Sequence, residues 1–198
     1  MSPEIILASC SPVRREVLNK LRISYIVRPS EFEEKTVVES DESFEDLAKR
    51  LALGKARNIA SKVQNAIIIG ADSFAVLEGK IMGKPHTKER AIEYLSRLNG
   101  KTHEFYTGMA VIDTERQREV ADCTTARVRF KTLSQNEIEQ YVRVEDAVTA
   151  GGAYRIQGLG AVLIEKVEGD YYAVVGLSPS VLQEMLKSLG HSLFDYIE

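Results

Sequence analysis

Residues 66–72, Ala-Ile-Ile-Ile-Gly-Ala-Asp, constrain the fold more than any other stretch of the chain. The unbroken apolar run, with three consecutive isoleucines, reads as a buried strand ending at Asp72. An acid at the end of a buried strand stands where open α/β sheets place their ligands. A second apolar run, Ile5–Ala8, is cut off by Ser9-Cys10-Ser11-Pro12-Val13-Arg14-Arg15. There Ser11 as N-cap and Pro12 at the first helical position start a helix, with Val13, Val17, Leu18 and Leu21 as its apolar stripe. Further helices are predicted over Phe44–Val63, from Thr87 to the Asn99-Gly100 stop, from Ser134 to Arg143, and from Ser178-Pro179 to Gly190. Further strands are predicted over Ile23–Val27, Phe74–Leu77, Lys80–Met82, Thr102–Ile112, Glu119–Phe130, Ala161–Val167 and Tyr171–Val175, with a hairpin turn at Glu78-Gly79. Helices and strands alternate unevenly, which points to an α/β or α+β fold with a mixed sheet. No repeat, low-complexity tract or linker interrupts residues 1–198, read as a single domain.

A net charge of −3 gives the chain no global basic field, so neither nucleic acid nor an anionic membrane is expected as a partner. Any bound anion must then be met by a local cluster of positive groups. The two cysteines make no disulfide framework, although a single bridge stays open. No apolar run approaches the roughly 20 residues of a membrane span, and the first ten residues lack a signal peptide's basic start. The expectation is a cytoplasmic protein.

Four stretches have side chains suited to chemistry. The turn at Ser9–Arg15 would offer an anion the amides and positive dipole end of a helix start, the Ser9 and Ser11 hydroxyls, and the Arg14 fork. The same residues also describe an ordinary capped helix. Cys10 stands in a Cys-x3-Arg spacing, shorter than the phosphatase Cys-x5-Arg loop, and reads as a small residue filling the turn. Asp72 could hold a metal or deprotonate a water; it could equally form a turn. Glu33 and Glu34, in the acidic stretch Glu31–Glu42, could join it around Mg²⁺ or Mn²⁺, or be solvated loop acids. Lys84, in Gly83-Lys84-Pro85, is a phosphate contact or a surface lysine, and Lys55 is uninformative in isolation. In the glycine-rich segment Gly151–Gly160, Gln157 offers a donor and an acceptor suited to the edge of a base. That segment's flanks read as strands. The histidines His86, His103 and His191 lack metal-ligand spacing.

Taken together, the chain resembles the Maf family of nucleoside triphosphate pyrophosphatases over nearly its full length. The resemblance rests on Leu7-Ala8-Ser9-Cys10-Ser11-Pro12 followed by Arg14, and on Gly70-Ala71-Asp72-Ser73, Gly83-Lys84-Pro85 and Tyr106-Thr107-Gly108. Ile156-Gln157-Gly158-Leu159-Gly160, Glu168–Tyr172 and Val174–Leu177 complete it. It implies an elongated, inosine-triphosphatase-like fold of two lobes around a central cleft, and metal-dependent cleavage between the α- and β-phosphates by a divalent-cation enzyme (Mg²⁺, Mn²⁺ or Co²⁺). By motif match, Asp72 would activate water, with Lys55 and Lys84 beside it as catalytic residues. Ser9, Ser11, Arg14 and Gln157 would bind the substrate, and Glu34, Glu33 and Asp72 the metal. Val13, Ser73 and Gln157 occupy the base-selecting positions: Gln157 favours dTTP and UTP, Ser73 is a mild change from Thr, and Val13 fits no pattern. The resemblance leaves open a non-catalytic regulator of septum formation, the same chemistry on 7-methyl-GTP, and a homodimer.

Overall fold

The structure, a computed structural model, describes residues 3–33 and 42–197. In chain order the elements are β1 (Glu4–Leu7), α1 (Pro12–Lys20), β2 (Ile26–Val27), α2 (Phe44–Ala60), β3 (Ala66–Leu77), β4 (Lys80–Met82) and α3 (Lys88–Leu98). They continue with β5 (Thr102–Asp113), β6 (Arg118–Phe130), α4 (Gln135–Val144), β7 (Ile164–Gly169), α5 (Tyr171–Val175) and α6 (Pro179–Ser188). Short 3-10 turns fill the segment between α4 and β7, at Ala147–Thr149, Gly151–Ala153 and Leu159–Leu163. Among the described residues the strands hydrogen-bond in the order β2-β1-β3-β5-β6-β7, with β4 on β3. The sheet is mixed: β1 runs parallel to β2 and β3, whereas β3 with β4 and β6 with β7 are antiparallel.

The chain forms two compact units. The first comprises Met1–Asp72, Thr107–Thr124 and Gly176–Glu198. Its core follows the strand period of two: Ile6 and Ala8, Ala66 and Ile68, and Ala110 and Ile112 share one cluster with Ala52, Ala56 and Ile59 of α2. Ala48, Ala52 and Ala56 recur every fourth residue and are fully buried, a stripe small enough for the α2 backbone to touch the strands. It does so at two glycines. A Cβ at Gly70 would fall 2.4 Å from the Ala52 carbonyl oxygen, and one at Gly108 would fall 2.0 Å from that of Ala48. Only a residue without a side chain fits at either position.

The second unit comprises Ser73–Tyr106 and Thr125–Val175. Its core gathers Leu77, Met82, Leu95 and Leu98 with Phe105, Phe130, Ile138, Tyr141, Tyr154 and Leu163.

Several expected boundaries shift. The strand expected to end at Asp72 and the one expected over Phe74–Leu77 are a single strand, Ala66–Leu77, whose last residues Ala75–Leu77 pair with β4. The strand expected over Ile23–Val27 shrinks to Ile26–Val27, with Ile23 making an isolated bridge to Ile197. Helix α2 stops at Ala60 rather than Val63. Tyr171–Val175, expected as a strand, is a helix. Its apolar run hides a local start signal: Asp170 accepts the Tyr172 amide on its side chain and the Ala173 amide on its carbonyl, at 2.8 and 2.9 Å. The glycine-rich segment is flanked by 3-10 turns, and Leu159–Leu163 is one of them rather than the start of β7. Both cysteines are free, Cys10 exposed and Cys123 half-buried. Burial raises the Cys123 thiol pKa to about 11.

Candidate active site

The site grows from the register between β1 and β3. Leu7 lies opposite Ile69, and the Ala8 amide donates to the Ile69 carbonyl at 2.8 Å. There β1 ends and turns into α1, while β3 runs on. Ser9 and Asp72, two and three residues past the last pair, therefore stand at the C-terminal end of the parallel pairing. This is where such sheets open toward ligands.

Asp72 shares a face of β3 with Ile68 and Gly70, the face that α2 covers. On α2, Ala52, Lys55, Ala56 and Ile59 are spaced i, i+3, i+4, i+7, one helical stripe. Lys55 is thus directed at the sheet among alanines, and its Nζ donates to Asp72 Oδ1. Both side chains are nearly nine-tenths buried, 12% and 11% exposed. The ion pair is shielded from water, and removing the lysine alone would leave the Asp72 carboxylate a buried charge without this partner.

On the other side, the Arg14 side chain is buried although it belongs to the first turn of α1. Its Nε donates to the Gly176 carbonyl at 2.9 Å and its Nη1 to Ser9 Oγ at 3.0 Å. Ser9 Oγ also accepts the Ser11 amide at 3.2 Å. A hydroxyl has two acceptor lone pairs and one proton, so both acceptor positions of Ser9 are used and its proton is directed elsewhere. Ser9 is an oriented donor. The Ser11 side chain, expected as the N-cap, makes no capping bond; its amide serves the site instead. Val13 is half-buried.

The acidic stretch reaches α2 near the ion pair. Phe32 lies where a Cβ on Gly54 would be, 2.4 Å from its ring, and Asn58 accepts the Glu31 amide at 3.1 Å. The chain leading to Glu33 thus meets α2 one residue from Lys55, with Glu33 itself exposed. Glu34 lies outside the described residues. Among the described residues no three His, Cys, Asp or Glu side chains form a metal cluster. One buried carboxylate with a neighbouring acidic segment still suits a hard cation of the Mg²⁺ type, which takes one or two carboxylates and completes its shell with substrate phosphates and water.

Ser73, Lys84 and Gln157 belong to the second unit. Lys84 is exposed after Met82, between the Gly83 carbonyl, which accepts the Gly152 amide at 3.3 Å, and a buried Pro85. Gln157 is half-buried in a turn closed by the Gly158 amide and Arg155 carbonyl at 3.2 Å. Ser73 is half-buried on β3. The Gly176 carbonyl and the packing glycines Gly70 and Gly108 were missed as site elements by sequence reasoning. Each has its glycine inside a recognised motif, yet the partner lies far along the chain.

A family model described as Maf-like protein matches residues 4–189. A dTTP/UTP pyrophosphatase of Dictyoglomus turgidum is 41% identical over 193 residues, 98% of this chain and 100% of that protein. Proteins of the same name from Pyrococcus furiosus and Clostridioides difficile are 42% identical over 190 residues and 38% identical over 183. These alignments cover 96% and 92% of this chain and 97% and 93% of the relatives.

Proposed function

The chain belongs to the Maf family, and from that membership and the site above we propose that it is a nucleoside triphosphate pyrophosphatase of the dTTP/UTP type. It hydrolyses the α–β phosphate bond to a nucleoside monophosphate and pyrophosphate, clearing normal or modified pyrimidine nucleotides from the cytoplasmic pool. The observation that carries this reading is the buried Lys55–Asp72 pair at the strand end where Ser9 and Arg14 are held in place.

In this reading Asp72 takes a proton from the attacking water as the water oxygen bonds to phosphorus and the bridging oxygen leaves with pyrophosphate. Lys55 fixes the carboxylate through Oδ1. Arg14, Ser9 and Ser11 hold phosphate oxygens, and Lys84 adds a further positive charge as negative charge moves onto the leaving group. Gln157 reads the base edge, with Val13 and Ser73 shaping its surroundings. Asp72, Glu33 and Glu34 would hold a divalent cation, whose chemistry is neutralisation of phosphate charge. A regulator that never turns nucleotide over has no use for a carboxylate braced by a buried lysine, and Gln157 disfavours the 7-methyl-GTP reading. No helix among the described residues is long and apolar enough to cross a membrane.

The test is pyrophosphate release from a panel of nucleoside triphosphates with Mg²⁺ or Mn²⁺, beside Asp72→Asn. The expected result is fastest release from dTTP and UTP. In the variant, turnover falls by roughly 10²–10⁴ while nucleotide still binds. Near wild-type turnover in Asp72→Asn would sink the assignment.

A further inference from the structure

Within the second unit, the segment that carries Gln157 is held by a buried polar pair that the proposed reaction does not use. His103, on β5, is 2% exposed, and its Nε2 lies 2.9 Å from the hydroxyl of Tyr154, itself 4% exposed. The imidazole is boxed by the rings of Phe105, Phe130 and Tyr154 at centroid distances of 6.5, 5.5 and 5.6 Å. Burial lowers the imidazole pKa to about 4, with only the Val128 carbonyl favouring its proton, and raises that of the phenol. Both groups are therefore neutral near pH 7. Between two neutral groups the bond is either the Tyr154 O–H donating to Nε2 or Nε2–H donating to the phenol oxygen. Among the described residues Nδ1 makes no hydrogen bond of normal geometry.

Tyr154 sits midway along a segment of unusual backbone. Gly152 and Ala153, just before it, are consecutive left-handed residues at φ 71° and 66°, and Ala153 is completely buried. For an alanine that conformation persists only where surrounding contacts enforce it. On one side, the Gly152 amide donates to the Gly83 carbonyl and the His86 amide to the Val148 carbonyl at 3.1 Å, which flank Lys84. On the other, the Arg155 amide donates to the Tyr141 hydroxyl at 3.2 Å, and a Cβ on Gly160 would fall 2.4 Å from the Arg155 carbonyl oxygen. The turn bearing Gln157 is thereby closed. Tyr154 anchors the middle, its hydroxyl hydrogen-bonded to His103.

We propose that His103 and Tyr154 are a positioning pair for base selectivity, holding Lys84 and Gln157 in register through one buried hydrogen bond without touching the nucleotide. The inference rests on the pyrophosphatase reading and on Gln157 as the base reader. The geometry makes it specific to the 83–86 and 147–160 segments, leaving the Asp72–Lys55 pair untouched.

The experiment compares kcat/KM for dTTP, UTP, dCTP and dGTP, by pyrophosphate release, in wild type, Tyr154→Phe and His103→Gln. Tyr154→Phe should reduce the preference for dTTP over dGTP by roughly tenfold, with KM changing more than kcat. His103→Gln, which keeps a hydrogen-bonding group at the position, should retain more of that preference. A purely structural pair would lower the unfolding midpoint of both variants and leave the base ratio unchanged, and that result overturns the inference. Should Tyr154→Phe fail to fold, His103→Leu/Tyr154→Phe, which leaves neither polar group of the pair behind, serves the same test. If wild type releases no pyrophosphate from any nucleotide, the functional reading is what fails. Calorimetric affinities for the same four nucleotides then decide the positioning role by the same ratio.

Discussion

One methyl group at Gly108 probes how the site is held together. An added Cβ would lie 2.0 Å from the Ala48 carbonyl oxygen, 2.2 Å from its carbon and 2.7 Å from the Lys49 nitrogen. Ordinary contact begins at 3.4 Å, so 3.4 − 2.0 leaves about 1.4 Å to be found. The obstructing atoms are backbone, and no side-chain rotation relieves them. Either α2 retreats from the sheet or β5 bends. Overpacking costs typically about 1–3 kcal/mol, and the upper half of that range is expected because the contact is helix backbone. A retreat of about 1 Å also carries Lys55 away from Asp72, and misplacement on that scale is worth about 10²-fold in rate. The assay is urea denaturation for stability beside kcat for pyrophosphate release on Gly108→Ala. Gly79→Ala is the control: its φ is +74° but no atom lies within 4 Å of the added Cβ. It should cost about 1 kcal/mol from the left-handed backbone alone and leave kcat unchanged. A Gly108→Ala protein within about 0.5 kcal/mol and twofold of wild type would refute the close packing of α2 on β5 and the account of Lys55 built on it.

Lys55→Met should destabilise the protein by about 3 kcal/mol, because it leaves Asp72 buried and unpaired. Lys55→Met/Asp72→Asn should regain much of that in denaturant titrations while turnover stays roughly 10²–10⁴-fold below wild type. Arg14→Lys removes the Nε bond to Gly176 and the fork to Ser9; KM should rise by roughly tenfold or more with a smaller change in kcat, as initial rates against nucleotide concentration will show. Acid should weaken the fold through His103. The unfolded chain takes up this proton as pH falls through 6.5, whereas the folded chain holds it off to about 4. Stability therefore drops across that window by about 3 kcal/mol, from 2.5 pH units at 1.36 kcal/mol each. Urea midpoints between pH 7 and 4 should show this fall in wild type and lose that component in His103→Gln; equal slopes in the two would refute the burial argument.

What could be read from sequence is what depends on near neighbours. The Ser11-Pro12 helix start, the apolar run into Asp72 and the Thr87 and Ser134 caps are local, and the helices at Pro12, Lys88 and Gln135 begin where expected. Tyr171–Val175 reads as a strand because five residues are too few to separate a helix from a strand by periodicity, and the helix start signal, Asp170, lies just outside the run. The site was legible only as fragments. Lys55 is one polar residue in a stripe of alanines, and nothing within α2 says that the stripe faces Gly70 and Gly108 rather than a bulky core. With those glycines on β3 and β5, the close approach of the sheet dictates what α2 can carry on this face. Alanines at every fourth position of α2 are needed so that the helix can sit on the glycines, and the lysine between Ala52 and Ala56 is thereby brought to the carboxylate two residues past Gly70. Arg14 follows the same logic, since its Gly176 partner is 162 residues away. The candidate-site residues are held by contacts between distant segments, so their types are recoverable from sequence and their geometry is not.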